Sequence, residues 1–283
     1  MNDQVEMWVV MASHFIGECF DNCKHLLDKD NGTLEASVRF ITTQLYIDCH
    51  FSSESSLILI QEGQEWDADI INRTIIEGTV KYIYMISCND KKQHERANEY
   101  SHLLPNFSAI RRHERAKKFL DELENNDGLS WKVIEEQLLT EEQIIEYRSG
   151  FNVKERKAIE QKWSFSEIVN EFATSKEEGL ELLAHLTYNY RMSNHLIHKD
   201  SEGVAVVWDS CTRDSSRQIA MKLGHSARMI SDVCVLTQLR SMYLLKACGE
   251  KDDMFSALES KYSQFFNELT KASEYFNEIE YET

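Results

Sequence analysis

A single proline, Pro105, and only ten glycines in 283 residues set the tightest limit on what this chain can fold into. At ordinary usage a chain of this length would carry roughly 14 prolines and 20 glycines. Sheets need frequent tight turns, and tight turns draw on Gly and Pro for the backbone angles that other residues resist. A chain so short of both, and rich in Leu, Ile, Glu, Lys and Ala, predicts an all-α protein of long helices joined by few loops. Its apolar content of 42%, with 10% aromatic residues, is enough to fill a sizeable core.

Charge narrows the function classes. Asp and Glu outnumber Lys and Arg 48 to 31, a formal charge of −17. Non-specific coating of duplex nucleic acid needs many cations on one face, so that class is excluded, while a small local basic site is not. No run approaches the roughly 18 apolar residues of a membrane span, and the start MNDQVEMWVV lacks the basic region and cleavage site of a signal peptide. The expectation is a cytoplasmic protein with no membrane partner. Seven scattered cysteines, odd in number and never in a Cys-x-x-Cys pair, are expected to be reduced thiols. Cys19 and Cys23 share a helix face, but no second pair completes a metal site.

Apolar periodicity predicts helices over about 4–28, 34–61 and 64–88, the second capped by Thr33 and liable to break at Ser52-Ser53, with Gly63 marking the turn before the third. From 90 to 161 the composition turns charged, and this stretch reads as a peripheral helical insertion with its clearest loop at Asn125-Asn126-Asp127-Gly128. Trp163-Ser164-Phe165-Ser166 reads as the start of a short helix capped by Ser164 or Ser166. A longer helix is expected over 176–199, then a polar connector holding Asp200, Gly203 and Asp214, then helices over 214–248 and 252–280. The reading is one all-α domain, 1–283, with its core in 34–89 and 163–248.

Chemistry concentrates in Tyr188-Asn189-Tyr190-Arg191-Met192-Ser193-Asn194-His195-Leu196-Ile197-His198. At about 100° per residue, His195, His198 and Asn194 lie roughly +40°, −20° and −60° from Arg191, so four polar groups share one face. A guanidinium beside two imidazoles suits phosphodiester cleavage without a metal: Arg grips the phosphate and His moves protons near neutral pH. The alternative is a histidine-rich exposed face that contacts a partner. Arg73 and Glu77, four apart on an apolar helix, form either an intrahelical ion pair or a support for that site. Glu99-x-x-His102 occurs once, where a di-metal bundle needs two such motifs. The basic run Arg111, Arg112, His113, Arg115, Lys117 and Lys118 alternates with acids, as solvated helix faces do. Walker, Gly-x-Gly-x-x-Gly, Gly-x-Ser-x-Gly and His-Glu-x-x-His motifs are missing, so neither cofactor nor metal is expected.

These residues carry a resemblance. The order Arg73-Thr-Ile-Ile-Glu77, then Trp163-Ser164, then Tyr190-Arg191-Met192-Ser193 through His198 resembles a family of uncharacterised bacterial helical proteins, itself similar to the HEPN superfamily. HEPN ribonucleases carry an Arg, four to six residues, then a His; here Arg191 and His198 enclose six, although Met192 stands where those enzymes usually have a polar residue. The resemblance covers mainly 34–89 and 163–248. It implies a HEPN-like antiparallel bundle with a charged helical insertion. It also implies a metal-independent endoribonuclease of stress response or phage defence. In that role Arg191 and His198 would be catalytic, Asn194 and His195 would bind RNA, and Arg73, Glu77 and Ser193 would support them. A homodimer is implied in the same way; a protein regulator is a further candidate partner, and a third reading is the regulatory half of a two-gene toxin system. The competing reading is a non-catalytic helical protein that contacts a protein or nucleotide through the Arg191/His198 face.

Overall fold

The computed structural model describes residues 2–28, 30–123, 131–175, 180, 183 and 186–281, with the backbone alone at positions 2, 186–189, 191 and 192. Every regular element among them is helical, as the shortage of Pro and Gly predicts. The long helices are α1 (Asn2–Leu27), α2 (Ala36–Gln61), α3 (Glu65–Ile86), α12 (Ser215–Ala247) and α13 (Met254–Tyr281). Between α3 and α12 lie α4 (Asp90–Asn98), a π-helical turn (Glu99–Leu103), α5 (Leu104–Leu123), α6 (Lys132–Glu135), α7 (Glu141–Arg148), α8 (Val153–Lys162), α9 (Phe165–Ala173), α10 (Leu186–His198) and α11 (Ser201–Thr212). No helix among the described residues is long and apolar enough to cross a membrane.

The chain divides into two compact units, Met1–Cys88 with Ile168–Thr283, and Asn89–Glu167. The stretch 90–161 that reads as an insertion falls within the second.

In the first unit α12 is central, packing on α1, α3 and α13, while α3 also packs on α2 and α10. Trp8, Phe15, Tyr46, Tyr82 and Ile230 are fully or almost fully buried, each apolar side chain contributing about 1.5–3 kcal/mol by leaving water. Phe15 meets Tyr262 and Phe266 edge to face, both at 5.3 Å. The Trp8 indole donates to Glu268 at 3.2 Å, tying α1 to α13. The first unit also closes across the residues that leave it, because Tyr84 donates to Glu171 at 3.3 Å and its ring faces Phe172.

The second unit has a thinner core around Phe107, Ile110 and Trp163 and leans on local devices. Thr140 with Gln143, and Asn152 with Glu155, form capping boxes that satisfy the first amides of α7 and α8. Pro105 comes just after the π-helical turn Glu99–Leu103, inside a helical run that continues from α4 into α5. Glu99 accepts from Lys162 and from the Trp163 indole, each at 2.8 Å, which uses it within the fold. The His113 Nδ1 accepts the Leu139 amide, so part of the basic run is structural as well.

Several local expectations need correction. The expected polar connector contains a helix, α11: Asp200 and Asp214 are both N-caps, Asp200 accepting the amides of Glu202 and Gly203, and Asp214 those of Ser216 and Arg217. Gly203 is there for spacing, since a Cβ would stand 2.2 Å from the His195 carbonyl oxygen. Helix α2 is capped by Glu35 and not Thr33, and it runs unbroken through Ser52-Ser53, where Ser53 donates its hydroxyl to the Cys49 carbonyl. Ser164 caps α9, accepting the Glu167 amide at 3.4 Å. Gly63 makes the expected turn at φ 72°. The expected loop at 125–128 and the start of the helix expected from 176 lie outside the described residues. All seven cysteines are free thiols, and burial pushes Cys19 and Cys23 up to about 12 and about 11.

Candidate functional site

Helix α10 has two faces. Ser193 and Leu196 are buried at 1% and 6% exposure and Tyr190 is half-buried, which fixes the register against α3. At about 100° per residue, positions 191, 195 and 198 then fall on the opposite side, and 194 on the flank between the two. The inward face is held by two clusters of polar bonds.

The first cluster joins Tyr190 to Arg73 and Glu77. Arg73 donates to the Tyr190 hydroxyl at 2.8 Å while its guanidinium lies 4.5 Å from the ring centroid, and that hydroxyl donates to Glu77 at 3.2 Å. Lys81 pairs with Glu77 at 2.6 Å. Burial pushes the Glu77 carboxyl up, but Lys81, the Tyr190 hydroxyl and Arg73 outweigh it and hold the group below its ordinary value. Arg73 and Glu77, expected to support the site, both bond to the helix that carries His198.

The second cluster centres on Asp69, which is 6% exposed. One carboxylate oxygen accepts from Ser193 and faces Arg228, both at 3.2 Å; the other faces the His225 Nε2 at 3.4 Å. Arg228 also pairs with Asp232 at 3.1 Å, and the His225 ring lies 4.7 Å from Trp66. Burial pushes Asp69 up, yet the bonds from His225 and Arg228 leave it below its ordinary value. Beside this cluster opens a cavity of about 490 Å³ whose lining includes Trp66, Asp69, Met221, His225, Arg228 and Phe276. Among the described residues, no group of three or more His, Cys, Asp or Glu side chains is placed to hold a metal ion.

On the outward face His198 is exposed. His195 is held by Asp200 at 2.7 Å and Glu202 at 3.2 Å, and the hydrogen bond it donates to the Asp200 carboxylate raises its pKa. The Asn194 amide oxygen is buried and has no hydrogen-bond partner among the described residues. Arg191 belongs to this face by register; its side chain lies outside the described residues. Sequence reasoning missed Asp69, His225, Arg228 and Trp66. A signal existed, because Asp69, Arg73, Glu77 and Lys81 form a ladder of alternating charges at four-residue steps along an otherwise apolar helix.

Fold and site together define an all-helical protein whose α10 is bolted to α3 by buried polar bonds and presents a polar outer face. The chain belongs to a family of unknown function, DUF5677, which matches residues 39–215. That span includes both anchoring clusters on α3 and α10 and stops before His225 and Arg228. Neither a curated protein nor a solved structure matches the chain.

Proposed function

We propose that this protein is a metal-independent endoribonuclease with a HEPN-like antiparallel bundle, cleaving RNA at the outward face of α10 in stress response or phage defence. One observation supports this above the rest. Tyr190, Ser193 and Leu196 turn inward, so the register places position 191 beside the exposed His198, seven residues and about 10 Å apart along the axis. In this reading the ribose 2′-OH attacks the adjacent phosphorus, the 5′ oxygen leaves, and the products are a cyclic phosphate and a 5′-hydroxyl. Arg191 holds the phosphate and its developing charge. His198 takes the 2′-OH proton or delivers one to the leaving oxygen. A second proton-transfer group is needed, and the homodimer implied by the HEPN resemblance would bring another His198. Asn194 and His195 position the strand, and Arg73, Glu77 and Ser193 hold α10 in place.

Purified protein incubated with total RNA in EDTA should yield cyclic-phosphate ends, and His198→Ala and Arg191→Ala should each abolish cleavage with little change in melting temperature. Cleavage that persists in both variants, or that stops on chelation, overturns the assignment. A second reading has its own support. Asp200 and Glu202 grip His195 and place two acids beside the path of an anionic strand, which suits a non-catalytic protein whose α10 face binds a protein partner. In that case the wild type leaves RNA intact.

A further inference from the structure

Helix α2 carries an apolar face that is left exposed among the described residues. Phe40, Phe51 and Ile58 are 61%, 62% and 59% exposed. With Gln44, half-exposed Ile47 and Glu54 they occupy positions 40, 44, 47, 51, 54 and 58. At about 100° per residue all six fall within roughly 40° of one line, some 27 Å long. The alternation of four- and three-residue steps is that of a coiled-coil seam. Helix α2 already buries Val38, Ile41, Leu45, Cys49, Leu57 and Ile60 on its inner side, so this is a second apolar stripe on a helix with one packed face.

The seam is palindromic about position 49. Turned end over end, Phe40 meets Ile58, Gln44 meets Glu54, and Ile47 meets Phe51; every apolar residue faces an apolar one and every polar residue a polar one. A dissimilar partner gives no reason for that symmetry, whereas a two-fold axis between the two helices, level with position 49, requires it. We infer that α2 is a self-association surface, joining two copies of this chain through an antiparallel α2–α2 seam. The inference does not depend on the ribonuclease reading and uses no residue of α10.

The area is that of a weak dimer. An aromatic side chain carries about 150–250 Å², so a Phe three-fifths exposed offers about 100–150 Å². Four apolar anchors from each copy supply about 800 Å², and the flanking polar side chains bring the total toward the roughly 1,200 Å² of the smallest stable interfaces. A dimer of modest affinity follows, in which Gln44 and Glu54 fix the register.

Sedimentation velocity on the full chain tests this. The wild type should be a concentration-dependent dimer, and Phe51→Glu, at an exposed position, should weaken it by about thirtyfold or more while helicity by circular dichroism stays unchanged. The register makes a sign-specific demand. Gln44→Lys faces Glu54 twice and should tighten the dimer a few-fold; Gln44→Glu should loosen it; Gln44→Glu with Glu54→Lys should restore it. A parallel seam would bring position 44 against its own copy, so that Lys and Glu both loosen. That result overturns the inference, as does a monomer at every concentration or a dimer indifferent to Phe51→Glu. Capture of an unrelated protein by a monomeric wild type would likewise assign the face to another occupant.

Discussion

Two of the three arginines on helix α12, Arg228 and Arg240, stand twelve residues apart, and their surroundings differ in kind. Arg228 stands at a cavity edge, one-third exposed, paired with the carboxylates of Asp69 and Asp232. Arg240 is wholly buried, and among the described residues no carboxylate pairs with it. Its guanidinium donates to the Thr79 hydroxyl at 2.6 Å and the Thr237 hydroxyl at 2.9 Å, lies 5.8 Å from the Tyr46 ring centroid, and leaves its Nε without an acceptor. Guanidinium does not lose its proton in proteins, so Arg240 is a permanent charge in a low-dielectric place. The difference separates two jobs. A paired charge beside a cavity can answer to pH or to a ligand, whereas a charge among neutral hydroxyls can only hold α12 in register with α3.

The largest effect expected from breaking this contrast comes from Arg240→Ala. It should cost about 4 kcal/mol in urea unfolding, through the void left by a long buried side chain. Arg240→Met, similar in length and uncharged, should recover most of that loss, since apolar residues commonly replace buried ions without penalty. If alanine is tolerated within about 1 kcal/mol, the register role falls.

Asp69→Ala should cost about 3 kcal/mol, because it removes the buried carboxylate that Ser193, His225 and Arg228 share. Here pH sharpens the comparison. The folded pKa of Asp69 is depressed, so its stabilising contribution is present above the ordinary aspartate value of 3.8 and is lost as pH falls through the lower folded value. The gap between wild type and Asp69→Ala should hold from neutrality to about pH 4 and close below it. The Arg240→Ala gap should stay level over the same range, as neither guanidinium nor hydroxyl titrates there. A parallel decline in both gaps would erase the distinction.

The smallest effects come from the hydroxyl partners. Thr79→Val strips an acceptor from a cation that has few, and should cost about 2 kcal/mol. Ser193→Ala removes one of several donors from Asp69 and should cost about half as much. Equal costs in chemical denaturation would mean that neighbouring carboxylates do not change what a lost hydroxyl is worth.

What was legible in the sequence follows the range of the interaction. Helix content, the α3 stripe and the Arg73–Glu77 spacing are local, and local periodicity reports them. The Asp69 cluster joins residues more than 120 positions apart, and no spacing within one helix encodes which faces will meet. The α11 misreading has another cause. Asp200, Gly203 and Asp214 are residue types that serve turns and helix caps alike, and only the approach of the His195 carbonyl reveals what Gly203 is for. Arg191 and His198 could be grouped on a face from register alone, but the acids that flank that face come from the start of α11, the very helix that was read as a connector.

The bond from Trp8 to Glu268 has a consequence for how the chain acquires its structure. The earliest helix finds its packing partners, α12 and α13, only after some two hundred further residues, so the contact order of the first unit is high. The second unit is continuous in sequence and can form first. Its folding shortens the effective loop that separates Tyr84 from Glu171, and so lowers the chain entropy lost when the two halves of the first unit join. Until they do, the apolar sides of α1, α2 and α3 stay wet, and a nascent chain halted before α12 would be a substrate for chaperones.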